Sequence, residues 1–151
     1  MKGRLTRLAL KATEFLVRAE RGEAVEEELP AHLRTGQAGE DAAYFYLREQ
    51  GYIMVARNFR SSRHRGEIDL IGWDGDVLCF VEVKTRSQRG VVPAEMAVDG
   101  PKRNLICSTA RDYLRQIKQK PATRFDVISL YFHKQNDMPD ITLFKNAFPM
   151  S

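Results

Sequence analysis

The stretch that decides the fold runs from Gly66 to Arg86 and reads GEIDLIGWDGDVLCFVEVKTR. Two apolar segments flank Asp74-Gly75-Asp76, the pattern of a β-hairpin closed by a tight turn. Strands of this kind are usually buried, yet Glu67, Asp69, Glu82 and Lys84 stand in their most apolar parts. Side chains alternate along a strand, so Glu67 shares a face with Asp69, and Glu82 with Lys84. With Asp74-Gly75 as the two-residue loop, Glu67 opposes Glu82 and Asp69 lies diagonal to it. With Gly75-Asp76 as the loop, Asp69 opposes Glu82 and Glu67 opposes Lys84. Both registers put all four groups on one face, with neighbours about 4.5–8 Å apart. The opposite face carries Ile68, Leu70, Val81 and Val83, a good core.

The charged face also carries Leu78 and Phe80, so part of it is covered. Covered charges cost several kcal/mol each unless they are paired. Lys84 is the only cation expected on that face, and it cannot neutralise three carboxylates. Crowded carboxylates raise one another's pKa values. A divalent cation removes the conflict, and oxygen ligands without His or Cys suit Mg2+ or Mn2+ rather than zinc. The competing reading is an edge hairpin with a solvated face and cross-strand ion pairs. The apolar flanks, Ile68-x-Leu70-Ile71 and Leu78-Cys79-Phe80-Val81, weigh against it. Upstream, Gly36, Glu40, Ala43 and Leu47 form one helical stripe, which turns Glu40 toward the sheet as a fourth carboxylate. Its alternative role is that of an acid favoured near a helix N-terminus.

Outward from the hairpin, residues 3–20 carry a helical apolar stripe, and residues 21–33 read as a linker. A second helix is expected from Thr35, as N-cap, to Gly51. The run Val55 to Asn58, with Tyr52 and Ile53, is the first strand. Pro93 to Lys102 reads as irregular, with Pro101 opening a helix that Pro121 ends. Arg124 to Phe132 and Ile141 to Lys145 are further strands. The expected architecture is α/β, a central mixed β-sheet flanked by helices. An N-terminal helical extension and linker (residues 1–33) precede the main domain (residues 34–151).

The 151 residues are 43% hydrophobic and 29% charged, an ordinary globular balance. A net charge of +4 leans mildly toward polyanions. Cys79 and Cys107 lie far apart on apolar stretches, which argues against a cysteine zinc site or a disulfide framework. No apolar run approaches membrane-spanning length and no signal peptide is evident, so a cytoplasmic protein without membrane contact is expected. Arg57, Arg60, Arg63 and Arg65 precede the acidic strand, and Arg86 and Arg89 follow Lys84. As a set beside a metal site they read as a nucleic-acid surface. Lys102 and Arg103 face either phosphate or solvent. His64 reads as a loop residue, and Trp73 and Phe59 as packing residues rather than base-stacking ones. Arg124 and Asp126 read as an internal pair.

An acidic helix residue followed by D-x12-E-x-K resembles the PD-(D/E)XK nuclease superfamily, here as Glu40, Asp69, Glu82 and Lys84. The arrangement is similar to that of archaeal Holliday-junction resolvases. The blocks GQAGEDAAYFYLREQGY, RNFR, GEIDLI, FVEVKTR and RFDVI together resemble the YraN-like bacterial family, sometimes called endonuclease-like, over about residues 36–148. The resemblance implies a restriction-endonuclease-like three-layer fold. It also implies that Asp69 and Glu82 hold Mg2+ or Mn2+, with the Val83 carbonyl as a further ligand and Glu40 acting directly or through water. Lys84 would orient the attacking water or balance developing charge. Lys102 would match a basic position of the family. Glu67 is expected either at the metal or in a salt bridge to Lys84 or Arg86. The chain departs from the family in its N-terminal 33 residues and in VDGPK before the third helix.

Three functions compete at this stage. The first is a metal-dependent endonuclease acting on DNA, with branched or damaged structures as candidate substrates. The second is a non-catalytic nucleic-acid-binding module. The third is an adaptor that uses the N-terminal helix. A homodimer stays open.

Overall fold

The computed structural model describes residues 31–86, 98–132 and 138–151. The helix expected at residues 3–20, most of the following linker, and Arg89 lie outside the described residues. The chain divides into two units, Met1–Gln37 and Ala38–Ser151, and the second contains the whole sheet. The elements are α1 (Ala31–Glu49), β1 (Ile53–Arg60), β2 (Glu67–Asp74), β3 (Val77–Arg86), α2 (Gly100–Leu114), β4 (Ala122–Tyr131) and β5 (Asp140–Phe148).

Helix α1 begins at Ala31, so Thr35 lies inside it and residues 31–33 are helix rather than linker. It ends where the sequence places its end. Tyr52 N donates to Leu47 O and Gly51 N to Arg48 O, the paired bonds of a Schellman turn. Tyr52 and Leu47, brought together by that turn, are both buried.

The five strands form one mixed sheet in the order β1-β2-β3-β4-β5. Neighbours are antiparallel except β3 and β4, which run parallel and are joined through α2. In the hairpin Trp73 faces Leu78 and Leu70 faces Val81, so Gly75-Asp76 is the two-residue loop. Gly75 sits at φ 59°, the backbone a first loop residue without a side chain adopts readily.

The helices cover opposite faces. Ile106, Cys107 and Ala110 of α2 pack with Leu78, Phe80, Phe125 and Val127, the face that also bears Glu82. Phe80 stacks on Phe125, and Phe125 on Phe148. Gly39 of α1 lies against Thr85, which alternates onto the other face. The result is an α/β sandwich of three layers, as expected. Cys79 and Cys107 are free and buried, as their apolar settings imply. No helix among the described residues is long and apolar enough to cross a membrane.

At the far end of the sheet, Arg124 and Asp126 do pair. Asp126, fully buried, accepts from Arg124 Nε (2.8 Å), Tyr52 Oη (3.2 Å) and Asn146 N (2.9 Å). Arg124 and Lys145 both reach Asp74 Oδ2 at 2.8 Å. This network ties β4 and β5 to the hairpin turn, with every charge answered.

Candidate metal centre

The hairpin register brings Asp69 opposite Glu82, but the ladder between β2 and β3 ends one pair earlier, at Leu70 and Val81. Beyond it the Asp69 side chain substitutes for backbone pairing: its Oδ2 accepts from Val83 N at 2.7 Å. Both carboxylates are thereby held inside the protein, with Asp69 at 8% exposure and Glu82 at 5%. Burial, then the charge of Glu82, pushes the Asp69 carboxyl up to about 8, against the Val83 hydrogen bond and Lys102, which lower it.

Lys84 Nζ lies 3.2 Å from Glu82 Oε1. The same oxygen meets Lys102 Nζ at 3.4 Å. Lys84 is therefore not the only cation at the carboxylates. Lys102 belongs to the first turn of α2, and it reaches Glu82 while its side chain stays partly exposed. Glu82 Oε2 is buried and has no hydrogen-bond partner among the described residues.

Glu40 stands farther out, 24% exposed, with Arg57 at 3.9 Å. Burial raises its pKa against a hydrogen bond from Asn58 and the charge of Arg57. Its charge reaches Asp69, so the two share a site electrostatically. Glu67 accepts from Arg60 Nε at 3.1 Å, a partner that neither of its two expected roles named. Among the described residues, no three His, Cys, Asp or Glu side chains already converge as a cation cage. The donor set still fits a hard divalent cation: a carboxylate that resists ionising alone, beside a buried oxygen that lacks a partner. Asp69 and Glu82 would hold it, with Glu40 placed to act through water.

The arginines divide. Arg57 turns inward, bonded to Asp41 and lying over the Tyr44 ring, with its side chain 14% exposed. It fastens α1 to the sheet, a different task from the phosphate contact expected of it. Arg60 at the end of β1, and Arg63 and Arg65 in the β1–β2 loop, stay at the surface. Arg86 is half-buried at the end of β3. Arg103 is anchored within the fold, its Nε donating to Val98 O at 2.7 Å and its guanidinium lying over the Phe148 ring. Phe59 packs edge-on against Tyr113, as a core residue.

Three contributors escaped the sequence reading. Asp99 caps α2 through Lys102 N at 2.9 Å, and Asp99-Gly-Pro-Lys102 carries the signal: a capping acid just before a helix-opening proline. Asn58 takes a positive φ of 48°, which sequence does not announce. Asp112 of α2 binds the Ser61 hydroxyl and lies 3.2 Å from His64 Nε2 and 3.9 Å from Arg63 Nε. Gly66 N donates to His64 Nδ1, which fixes the ring within the loop. The Ser61 hydrogen bond above all holds the Asp112 carboxyl below its usual range. The arginine loop is thus pinned to α2, and His64 is part of the fastening.

The chain matches the model of the uncharacterised protein family UPF0102 over residues 39–130, a span that opens one residue before Glu40 and includes Lys102. It is similar to a UPF0102 protein of Koribacter versatilis, 50% identical over 83% of this chain and 87% of that one. A UPF0102 protein of Solibacter usitatus is 46% identical over 75% of this chain and 84% of its own length. One from Clostridium kluyveri is also 46% identical, over 75% of this chain and 92% of its own. The matched span takes in Glu40, Asp69, Glu82, Lys84 and Lys102, and on the family match and the overall likeness the chain belongs to the UPF0102 family.

Proposed function

We propose that this protein is a Mg2+- or Mn2+-dependent phosphodiesterase of PD-(D/E)XK type that cuts DNA. The observation that carries the reading is the Asp69–Glu82 pair. Two buried carboxylates press on each other, one driven up to about 8 and the other with an oxygen that has no partner among the described residues, while two lysines stand beside them. A fold gains nothing in stability from such a pair unless a ligand relieves it.

When bound, a divalent cation supplies a water of lowered pKa and charge stabilisation at the scissile phosphate. Asp69 and Glu82 bind the cation, and Val83 offers its carbonyl. Glu40 orients a water from the helix side. Lys84 holds the attacking water or the developing negative charge on phosphate. Arg60 from the end of β1, and Arg63 and Arg65 from the pinned loop, offer their guanidiniums to the sugar-phosphate backbone. Branched DNA is the substrate class that the resemblance to junction resolvases favours.

The test is cleavage of duplex, single-stranded, flapped and four-way-junction DNA with Mg2+ or Mn2+. The intact protein is expected to cut at least one. Asp69→Asn should lose both cleavage and metal binding, and Lys84→Ala should lose cleavage while still binding metal. Should the intact protein cut none of the four, the enzyme reading fails and a nucleic-acid-binding module takes its place.

A further inference from the structure

Both ammonium groups at the candidate centre fall on one oxygen, Glu82 Oε1. They reach it differently. Lys84 follows Glu82 by two positions on the same strand face, so their contact is local. Lys102 arrives from α2 on a backbone that is locked in place. Asp99 Oδ1 accepts from Lys102 N at 2.9 Å, Asp99 O accepts from Arg103 N at 2.9 Å, and Arg103 Nε anchors on Val98 O. The Lys102 side chain is 33% exposed, so its ammonium has a solvent side to turn toward. A divalent cation seated on Asp69 and Glu82 would repel that ammonium and compete with it for Oε1.

We propose that Lys102 is an exchangeable counter-ion of the acidic pair. It neutralises Glu82 in the metal-free protein, and on metal binding it transfers to a non-bridging oxygen of a bound phosphodiester. This rests on the metal-site reading above. It has two consequences. Lys102 opposes metal binding, so its removal tightens that binding. Metal in turn frees Lys102 for phosphate, so metal and DNA strengthen each other's binding reciprocally, through this side chain.

The experiment titrates the intact protein with Mn2+ by calorimetry, with and without a phosphorothioate-linked duplex that resists hydrolysis. Lys102→Met, Lys102→Arg and Lys145→Met are compared with the parent. Lys145 bonds Asp74 in the network around Arg124 and Asp126, so its variant controls for net charge. Lys102→Met should bind Mn2+ about three- to tenfold more tightly, the scale of one partly exposed ion pair lost. It should also lose the gain in DNA affinity that Mn2+ gives the parent. Lys102→Arg should keep that gain, and Lys145→Met should match the parent in both. Unchanged Mn2+ affinity and coupling in Lys102→Met overturn the proposal, even where the parent cleaves DNA. A parent that cleaves nothing, beside a Lys102→Met variant that shifts as described, leaves the proposal standing and removes the enzyme reading. A parent that binds no Mn2+ overturns it outright.

Discussion

Replacing Asp69 with Asn should stabilise the metal-free protein, and by an amount that grows with pH. The Asp69 carboxyl is held near 8 in the folded state by burial and by Glu82, against an ordinary value of 3.8. Between those two values the folded chain holds a proton that the unfolded chain has released. Raising the pH therefore favours unfolding, with a slope approaching 1.4 kcal/mol per pH unit. From pH 5 to pH 8 this one group costs the parent about 3–4 kcal/mol of stability. Asp69→Asn does not ionise and escapes that loss. Its amide oxygen can still accept from Val83 N, and its NH2 can donate to Glu82. The assay is urea unfolding in EDTA, followed by the fluorescence of Trp73, the single tryptophan. The gap in midpoint between variant and parent should widen by roughly 2 M urea from pH 5 to pH 8, for a slope near 1.5–2 kcal/mol per M. Mn2+ at a hundred times its Kd should then raise the parent by about 2.7 kcal/mol and leave Asp69→Asn nearly unmoved. A gap that stays constant across that pH range would refute the reasoning, since it would mean that Asp69 ionises as it does in water.

Three further outcomes follow from the packing. Asp126→Ala removes the acceptor of Arg124, Tyr52 and Asn146 N, and should cost about 2–4 kcal/mol in thermal unfolding, because these donors lose a buried partner and Arg124 keeps Asp74 alone of its two carboxylates. Gly39→Ala puts a methyl 1.9 Å from Thr85 Oγ1 and should cost about 1–3 kcal/mol, part of which Thr85→Ala restores in a double-mutant cycle. Arg63→Ala and Arg65→Ala should each lower the slope of log DNA affinity against log salt by about 0.9, whereas Arg57→Ala should lower the melting temperature and leave that slope alone.

The hairpin, the parity of its charges and the end of α1 were legible in the sequence because each depends on neighbours a few residues apart. Alternation along a strand is fixed by backbone geometry, so the sequence assigns Asp69 and Glu82 to one face in either register; the turn at Gly75-Asp76 fixes the pairing as far as Leu70 and Val81, and beyond it Asp69 bonds Val83 N through its side chain. Gly51 closed α1 for an equally local reason. The start of α1 was misread, since Thr35 is a good cap that a longer helix runs through. What tertiary structure alone decided is how each charge is spent. Arg57 resembles its neighbours Arg60 and Arg63 in sequence, yet Asp41 and Tyr44 of α1 draw it inward. Glu67 goes to Arg60 across the β1–β2 pair, and not to the lysine that the hairpin register sets opposite it. Lys102 is separated from Glu82 by a crossover and half a helix turn, and only the packing of α2 over the sheet brings them to 3.4 Å. Charge pairing is a long-range choice among many partners of similar energy, and the layer geometry of the folded sheet is what selects one.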